Sequence, residues 1–497
     1  MKQEKTNVVV VAAGLSGLAA TISAAESGVG VIAFEKANTT GGAANMGMGP
    51  LGVGSRLQRE KLVSITPGEA FRKHMNFTHW RVDARMVREF YFRSGETIDW
   101  LEDMGVEFLS VQRAYAAPEV LKPYATSEET WHVVRPSDGS NIAGPRAAGA
   151  MIKVMTDRAL ELGADIRLNT KVIEILKEGD KVVGVIAEDA NGEKTEVRAD
   201  AVIIATGGAG DNAAMIKENT GYDWGDNLFS FRVPGMDGEG MKMAWNVGAG
   251  KTPISLELMY TCPHNMETPN HFIMDGAFRQ PCLWVNSLGE RFMNEDSISN
   301  TTFAGNAIAT QPGKMAYSIF DSALLKRYKK KGPDITSHVH PFDLYEQFDD
   351  AIQGILDAGY EHVFIAETLE ELAEKTGINE EALLNTVDEY NELCDNGFDE
   401  LFEKDHQFLQ PIEKGPFYAC RYFPSAYGTL GGIRINHRTE VMTEDHKVIP
   451  GLYAVGVDAC AIYADCYPFI LPGNTMGFCL TTGRMAGENA AQHSMQV

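Results

Sequence analysis

The chain has 497 residues, 44 Lys and Arg against 68 Asp and Glu, and a formal net charge of −24. Its 44% hydrophobic and 23% charged residues describe a globular protein, long enough for roughly two or three domains. The acidic balance argues against nucleic acid, whose binding begins with a Lys/Arg footprint, and against an anionic membrane surface.

Val8–Ala12 reads as a buried parallel strand, followed by a glycine turn and a small-residue helix over Ser16–Ser27. Val29–Glu35 completes a β-α-β unit. Asp83–Met104 has helical periodicity, and Ala147–Leu162 repeats it and stops at Gly163. Strands are expected over Lys171–Glu178, Lys181–Glu188 and Ala201–Ala205, the last running into Thr206-Gly207-Gly208. From about Gly238 to Arg291 the chain reads as irregular, rich in Met, Pro and His. Thr368 and Glu371 form a capping box for a helix that stops at Gly377. Asn379 caps the next helix, which runs to about Cys394. Phe417–Gly432 and Val448–Gly456 read as strands, and Gly477–Gln492 as a last helix. The fold class is α/β.

No apolar run approaches the ~20 residues of a membrane helix. The polar start, Met1–Asn7, lacks the basic and apolar regions of a secretory signal, so the cytoplasm is the expected compartment. The seven cysteines include no C-x-x-C pair and fit reduced thiols better than a disulfide framework, cluster or zinc set.

The turn Ala12-Ala13-Gly14-Leu15-Ser16-Gly17 lies between a strand and a helix, where bare backbone can approach a pyrophosphate at a helix N-terminus. Glu35, ending the second strand, is placed to hold a ribose hydroxyl and disfavours a 2′-phosphate. Ala12 stands where G-x-G-x-x-G has its first glycine, so its methyl crowds the turn. Taken alone, the segment is also compatible with an ordinary β-α-β turn. Three further segments follow or end strands: Thr40-Gly41-Gly42-Ala43-Ala44-Asn45, Ala205-Thr206-Gly207-Gly208-Ala209-Gly210 and Ile449-Pro450-Gly451-Leu452-Tyr453-Ala454-Val455-Gly456. In this order and spacing they mark a site for a flat or phosphorylated ligand.

Together with Gly289-Glu290-Arg291-Phe292-Met293-Asn294-Glu295, Thr429-Leu430-Gly431-Gly432 and Gly483-Arg484-Met485-Ala486-Gly487-Glu488, these segments carry a resemblance. Over nearly its whole length the chain resembles the flavoprotein subunit family of fumarate reductase and succinate dehydrogenase, including its soluble relatives, the ketosteroid dehydrogenases. The resemblance implies a Rossmann-like FAD-binding domain split between residues 1–255 and 427–497, with an inserted α+β capping domain over 256–426. It places the cofactor against Ala12, Gly14, Leu15, Ser16 and Gly17, then Glu35 and Lys36, then Gly41, Gly42, Ala43 and Ala44. Val172, Thr206, Gly207, Gly208, Gly473, Asn474 and Met476 complete that expectation. Where covalent relatives carry a flavin-bonding histidine, Lys36–Ser55 has none, so the FAD is expected to be noncovalent. The family's usual glutamate after the glycine equivalent to Gly456 is replaced by Val457-Asp458. Either Asp458 supplies the ribityl contact one residue later, or that contact is absent. No second fingerprint for a nicotinamide and no haem or iron–sulfur ligand set is evident, so an external electron donor or acceptor is implied.

Dicarboxylate substrates need Arg and His donors to offset desolvation. By the family's local motifs, Ser299 stands at the proton-donating arginine, Gly428 at a histidine and Ile470 at a second arginine. Arg279 keeps its counterpart, but the acid that precedes it becomes Gly276. Fumarate reduction is therefore not expected. Met259, Tyr260, Phe278, Trp284, Tyr427, Tyr463, Tyr467, Phe469, Ile470 and Leu471 instead suit a flat, largely uncharged, apolar or aromatic substrate.

The reading is an FAD-dependent oxidoreductase of ene-reductase type. It exchanges a hydride between flavin N5 and a carbon–carbon bond conjugated to a carbonyl or aromatic group. Tyr467, Tyr260 and Tyr427 are the candidate proton-handling hydroxyls, with Arg279 or a backbone N–H on the enolate charge. Tyr467-Pro468 and Pro472-Gly473-Asn474-Thr475 are similar to the ketone-polarising arrangement of the ketosteroid branch, at longer spacing. A ketosteroid dehydrogenase-like desaturase and a non-enzymatic flavin electron relay are the alternatives. His264 and His271 read more simply as structural or solvated.

Overall fold

The computed structural model describes residues 1–116, 127–141, 144–229, 233–262, 271–337 and 343–497; His264 lies outside them. The expected β-α-β unit is formed by β1 (Lys2–Val11), α1 (Leu15–Glu26) and β2 (Val31–Phe34). Val8–Val11 pair in parallel with β2 and are buried on both faces, which is why the run is continuously apolar. Next come β3 (Asp165–Arg167), β4 (Thr170–Glu178), β5 (Lys181–Asp189) and β6 (Lys194–Ile204). β6 starts well ahead of Ala201. Its polar first half pairs with β5 and with the polar start of β1, where the strand needs few apolar side chains.

The described residues of Gly238–Arg291 hold regular elements, contrary to the irregular stretch expected from the sequence. They form a helix over Glu239–Asn246, β7 (Lys251–Thr261), α2 (His271–Phe278) and β8 (Leu283–Asn286). Two register shifts in the β7 pairing, with Pro253 inside the first, break the alternation by which a strand is recognised. The chain continues through β9 (Ala316–Asp321), β10 (Val363–Ala366), β11 (Phe417–Ile433), β12 (Glu440–Met442), β13 (Val448–Ala454) and α3 (Asn474–Ser494).

Two sheets result. The first runs β12-β13-β6-β1-β2-β3, with β5 also on β6 and β4 on β5. Its central pairs are parallel. The second runs β7-β11-β9-β8, with β10 also on β11, and is antiparallel. β7 and β11 pair with each other and join the two halves: Ile254 and Ile433 pack under the first sheet, while Tyr260 and Tyr422 pack with Trp284 in the second. Positions 255/256 and 426/427, expected as domain limits, fall inside these strands.

α1 lies against α3, the Ser23 hydroxyl donating to the Arg484 carbonyl at 3.0 Å. The expected caps form at Thr368 and Asn379, and Asp83 caps a further helix, each accepting from backbone N–H groups of the following turn. Among the described residues, no helix is long and apolar enough to cross a membrane.

Candidate active site

A cavity of about 670 Å³ runs from the β1–α1 turn to the face of the second sheet. Of the expected cofactor residues, all but Gly17, Gly208, Asp458 and Asn474 line it. These four shape the wall from behind. A Cβ on Gly17 would lie 2.0 Å from the Ala12 carbonyl oxygen, so glycine is required for the helix to seat on the turn. Ala12 itself adopts φ +79°, taking a conformation that the missing glycine would adopt freely.

Glu35 accepts from the Ala13 and Ala37 N–H groups, each at 2.9 Å, and its buried carboxylate faces the cavity. Lys36 pairs with Asp237 at 3.0 Å and Glu239 at 3.1 Å. Glu239 also pairs with Lys171, so both lysines here are matched by carboxylates, and the Glu35 carboxylate suits ribose hydroxyls and repels an added phosphate. Asp458 lies behind the wall of the cavity. Its carboxylate accepts from the Thr206 N–H and hydroxyl and from the Gly207 and Gly208 N–H groups, and so fixes that turn. Asn474 is likewise committed, its Oδ1 accepting from Tyr463 and its Nδ2 donating to Tyr91.

The N-termini of α1 and α3 both open on the cavity, through Gly14–Ser16 and through Gly473, Thr475 and Met476. Neither carries an acid in its first turn. Both therefore offer backbone N–H groups to an anionic or electron-rich ligand edge. Gly473 has φ +80°, and a Cβ there would meet the Leu51 nitrogen at 2.6 Å. The donor set, the carboxylate at the ribose position and the bare-backbone walls fit FAD.

The other half of the cavity is lined by Glu257, Met259, Tyr260, His271, Phe272, Asp275, Arg279, Thr301, Tyr427, Tyr467 and Phe469. Phe278, Trp284, Tyr463, Ile470 and Leu471, expected here, pack in the cores instead. Arg279 is bound to Asp275, Nε to Oδ2 at 2.8 Å, and its guanidinium lies 4.3 Å from the Tyr260 ring centre. The Tyr260 hydroxyl donates to the Ile298 carbonyl at 3.1 Å, so its proton is directed into the protein rather than the cavity. Tyr427 is 43% exposed and sits at the rim. Ser299 donates to the Asp296 carbonyl and lies off the cavity. Arg291 of the family-like segment is structural, pairing with Glu295 at 2.8 Å and Asp399 at 2.7 Å.

Tyr467 is buried, and its phenol oxygen accepts from the Thr475 N–H at 3.0 Å. Burial holds the phenol well above its usual pKa, so it is fully protonated at neutral pH.

A family model described as an FAD binding domain matches residues 7–475. The chain is 30% identical over 496 residues to fumarate reductase (cytochrome) of Shewanella frigidimarina, covering 99% of this chain and 78% of that one. The chain belongs to the fumarate reductase-like flavoproteins. FAD is its cofactor. The flavoprotein is also 29% identical over 505 residues to vinyl phenol reductase of Lactiplantibacillus plantarum, covering 100% of this chain and 98% of that one. In fold it is similar to 3-ketosteroid-Δ4-(5α)-dehydrogenase from Rhodococcus jostii RHA1, with a TM-score of 0.76 and 23% identity over 99% of this chain and 98% of that one.

The sequence reading missed Glu257, Asp275 and Thr301 in the wall of this flavoprotein's cavity. Glu257 had a signal: it is the sole acid in the apolar run Ile254–Tyr260. Its Oε2 accepts from the Thr475 hydroxyl at 3.0 Å, and burial pushes its carboxyl up to about 7.

Proposed function

We propose that this flavoprotein reduces a carbon–carbon double bond conjugated to a carbonyl or an aromatic ring, in a small substrate without carboxylates. The observation that carries this reading is the Asp275–Arg279 pair: the cation that would grip a carboxylate is already neutralised. Met259, Phe272, Tyr427 and Phe469 supply flat apolar surface around it. The relationship to a vinyl phenol reductase supports an aromatic alkene.

Bound FAD, reduced by an external donor, supplies the hydride. The aromatic wall orients the alkene and excludes water from it. Tyr467 delivers the proton, and the Thr475 N–H stabilises the phenolate that this leaves. The Arg279–Asp275 pair lends a polar edge to a carbonyl or phenol without demanding a counter-charge. The seven free thiols support a reducing compartment such as the cytoplasm.

The test is reoxidation of chemically reduced enzyme by a panel of enones, aryl alkenes, steroids and fumarate. Preference for an uncharged enone or aryl alkene is expected. Preference for fumarate would refute the reading, and steroid-dependent dye reduction in the reverse direction would favour a ketosteroid desaturase.

A further inference from the structure

We propose that Glu257 is the proton reservoir of this site, a buried carboxyl that returns to Tyr467 the proton the tyrosine gives to substrate. This rests on the reading of Tyr467 as proton donor and states what refills it. Glu257 projects from β7 into the cavity and is 7% exposed. Its Oε2 accepts from the Thr475 hydroxyl, and the Thr475 N–H donates to the Tyr467 phenol oxygen, each at 3.0 Å, so the three groups form one cluster at the N-terminus of α3.

His271 and the Asp275–Arg279 pair line the same half of the cavity, and among the described residues the titratable groups coupled to Glu257 are Tyr463, Tyr467 and Cys460, from the segment before α3, and Cys479 of α3. Burial keeps all four neutral at physiological pH, and no cation is among them. Among the described residues no cation pairs with the carboxyl, and hydrogen bonding only partly offsets its desolvation. With a pKa of about 7 it holds a proton in much of the population near neutral pH.

Protonation state decides where the tyrosine proton points. An ionised Glu257 draws the Tyr467 O–H toward itself. A protonated Glu257 can donate to the phenol oxygen alongside the Thr475 N–H, which leaves the phenol proton free to face substrate. In the step itself, a C–H bond forms at the α-carbon as the Tyr467 O–H breaks. The phenol O–H re-forms as the Glu257 O–H breaks, and the carboxylate then takes a proton from water. The hydride is that of reduced flavin, so no further reductant is needed. The active form is the protonated one, and the rate falls as pH rises through about 7.

Glu257→Gln keeps the shape and the Thr475 bond but holds no transferable acid proton. An infrared titration of the holoenzyme from about pH 5 to about 9 should show a buried carboxyl that deprotonates near neutrality and is absent in the variant. Alkene-dependent reoxidation of the wild type should lose rate over the same range. The variant should be roughly 10-fold slower at about pH 6 and lack the inflection. Thr475→Val, which removes a bond favouring the charged form, should move the inflection upward. If Glu257→Gln keeps the wild-type rate and inflection, the reservoir is overturned and the reductase reading stands. If the wild type turns over no alkene although the carboxyl titrates, the reductase reading fails and the reservoir falls with it.

Discussion

Asp275 of α2 and Arg279, one residue past the end of that helix, close a 2.8 Å ion pair in the wall of the substrate half of the cavity. Their side chains are 5% and 10% exposed, so the pair is sheltered from solvent screening. Fumarate turnover is expected to be at least roughly 10²-fold below that of the best enone or aryl alkene, in assays of the reduced enzyme. Asp275→Asn should leave a buried guanidinium uncompensated and cost about 3–5 kcal/mol of stability, read from denaturant unfolding. Adding Arg279→Met should recover much of that loss, because two absent charges are less costly than one unpaired charge.

Tyr467→Phe keeps the ring and removes the phenol. FAD content should stay near wild type while turnover drops roughly 10²-fold or more. The Thr475 N–H loses its acceptor as well, so a destabilisation of about 1–3 kcal/mol should accompany the rate loss. Unchanged turnover would make Tyr467 a packing residue with a satisfied hydroxyl.

The cofactor should leave the protein on acid precipitation, giving a colourless pellet and free FAD in the supernatant. Lys36–Ser55 carries no histidine to bond it. Flavin retained on the washed, denatured chain would show a covalent link.

Acid should weaken the fold through two buried histidines. His74 hydrogen-bonds Tyr91 and the Ile462 carbonyl; His132 hydrogen-bonds Ser55 and the Thr130 carbonyl. A carbonyl can only accept, so each ring donates to it through one nitrogen and accepts a hydroxyl proton at the other. Both rings are therefore neutral, and burial lowers each pKa to about 4. Between about 6.5 and 4 the unfolded chain binds more protons than the folded one, so stability falls as pH falls through that window. The two shifts together are worth on the order of 7 kcal/mol below it. Thermal unfolding across this range checks the sign, and His132→Gln should flatten part of the slope.

Local features were legible in the sequence because their causes are local. The valine run, the glycine turn and the caps at Thr368 and Asn379 each act within a few residues. Asp458 could be named but its task could not, since its partner Thr206 lies 252 positions away. Glu257 was overlooked because the bulged pairing of β7 hid a strand in which a single acid would have stood out. Tyr260 lines the cavity, yet the direction of its hydroxyl depends on the Ile298 carbonyl, which no spacing rule discloses.

The clasp between Ser23 and Arg484 spans 461 positions, and Asp458 secures the Thr206 turn from almost as late in the chain. During translation, the segment that first meets the cofactor emerges long before the segments that finish its enclosure. Nascent chains must therefore persist without the stabilisation that ligand binding confers. A ribosome stalled ahead of Asp458 would present the apolar strands of the first sheet to chaperones. Flavin supply would then govern the yield of finished protein rather than the course of its early folding.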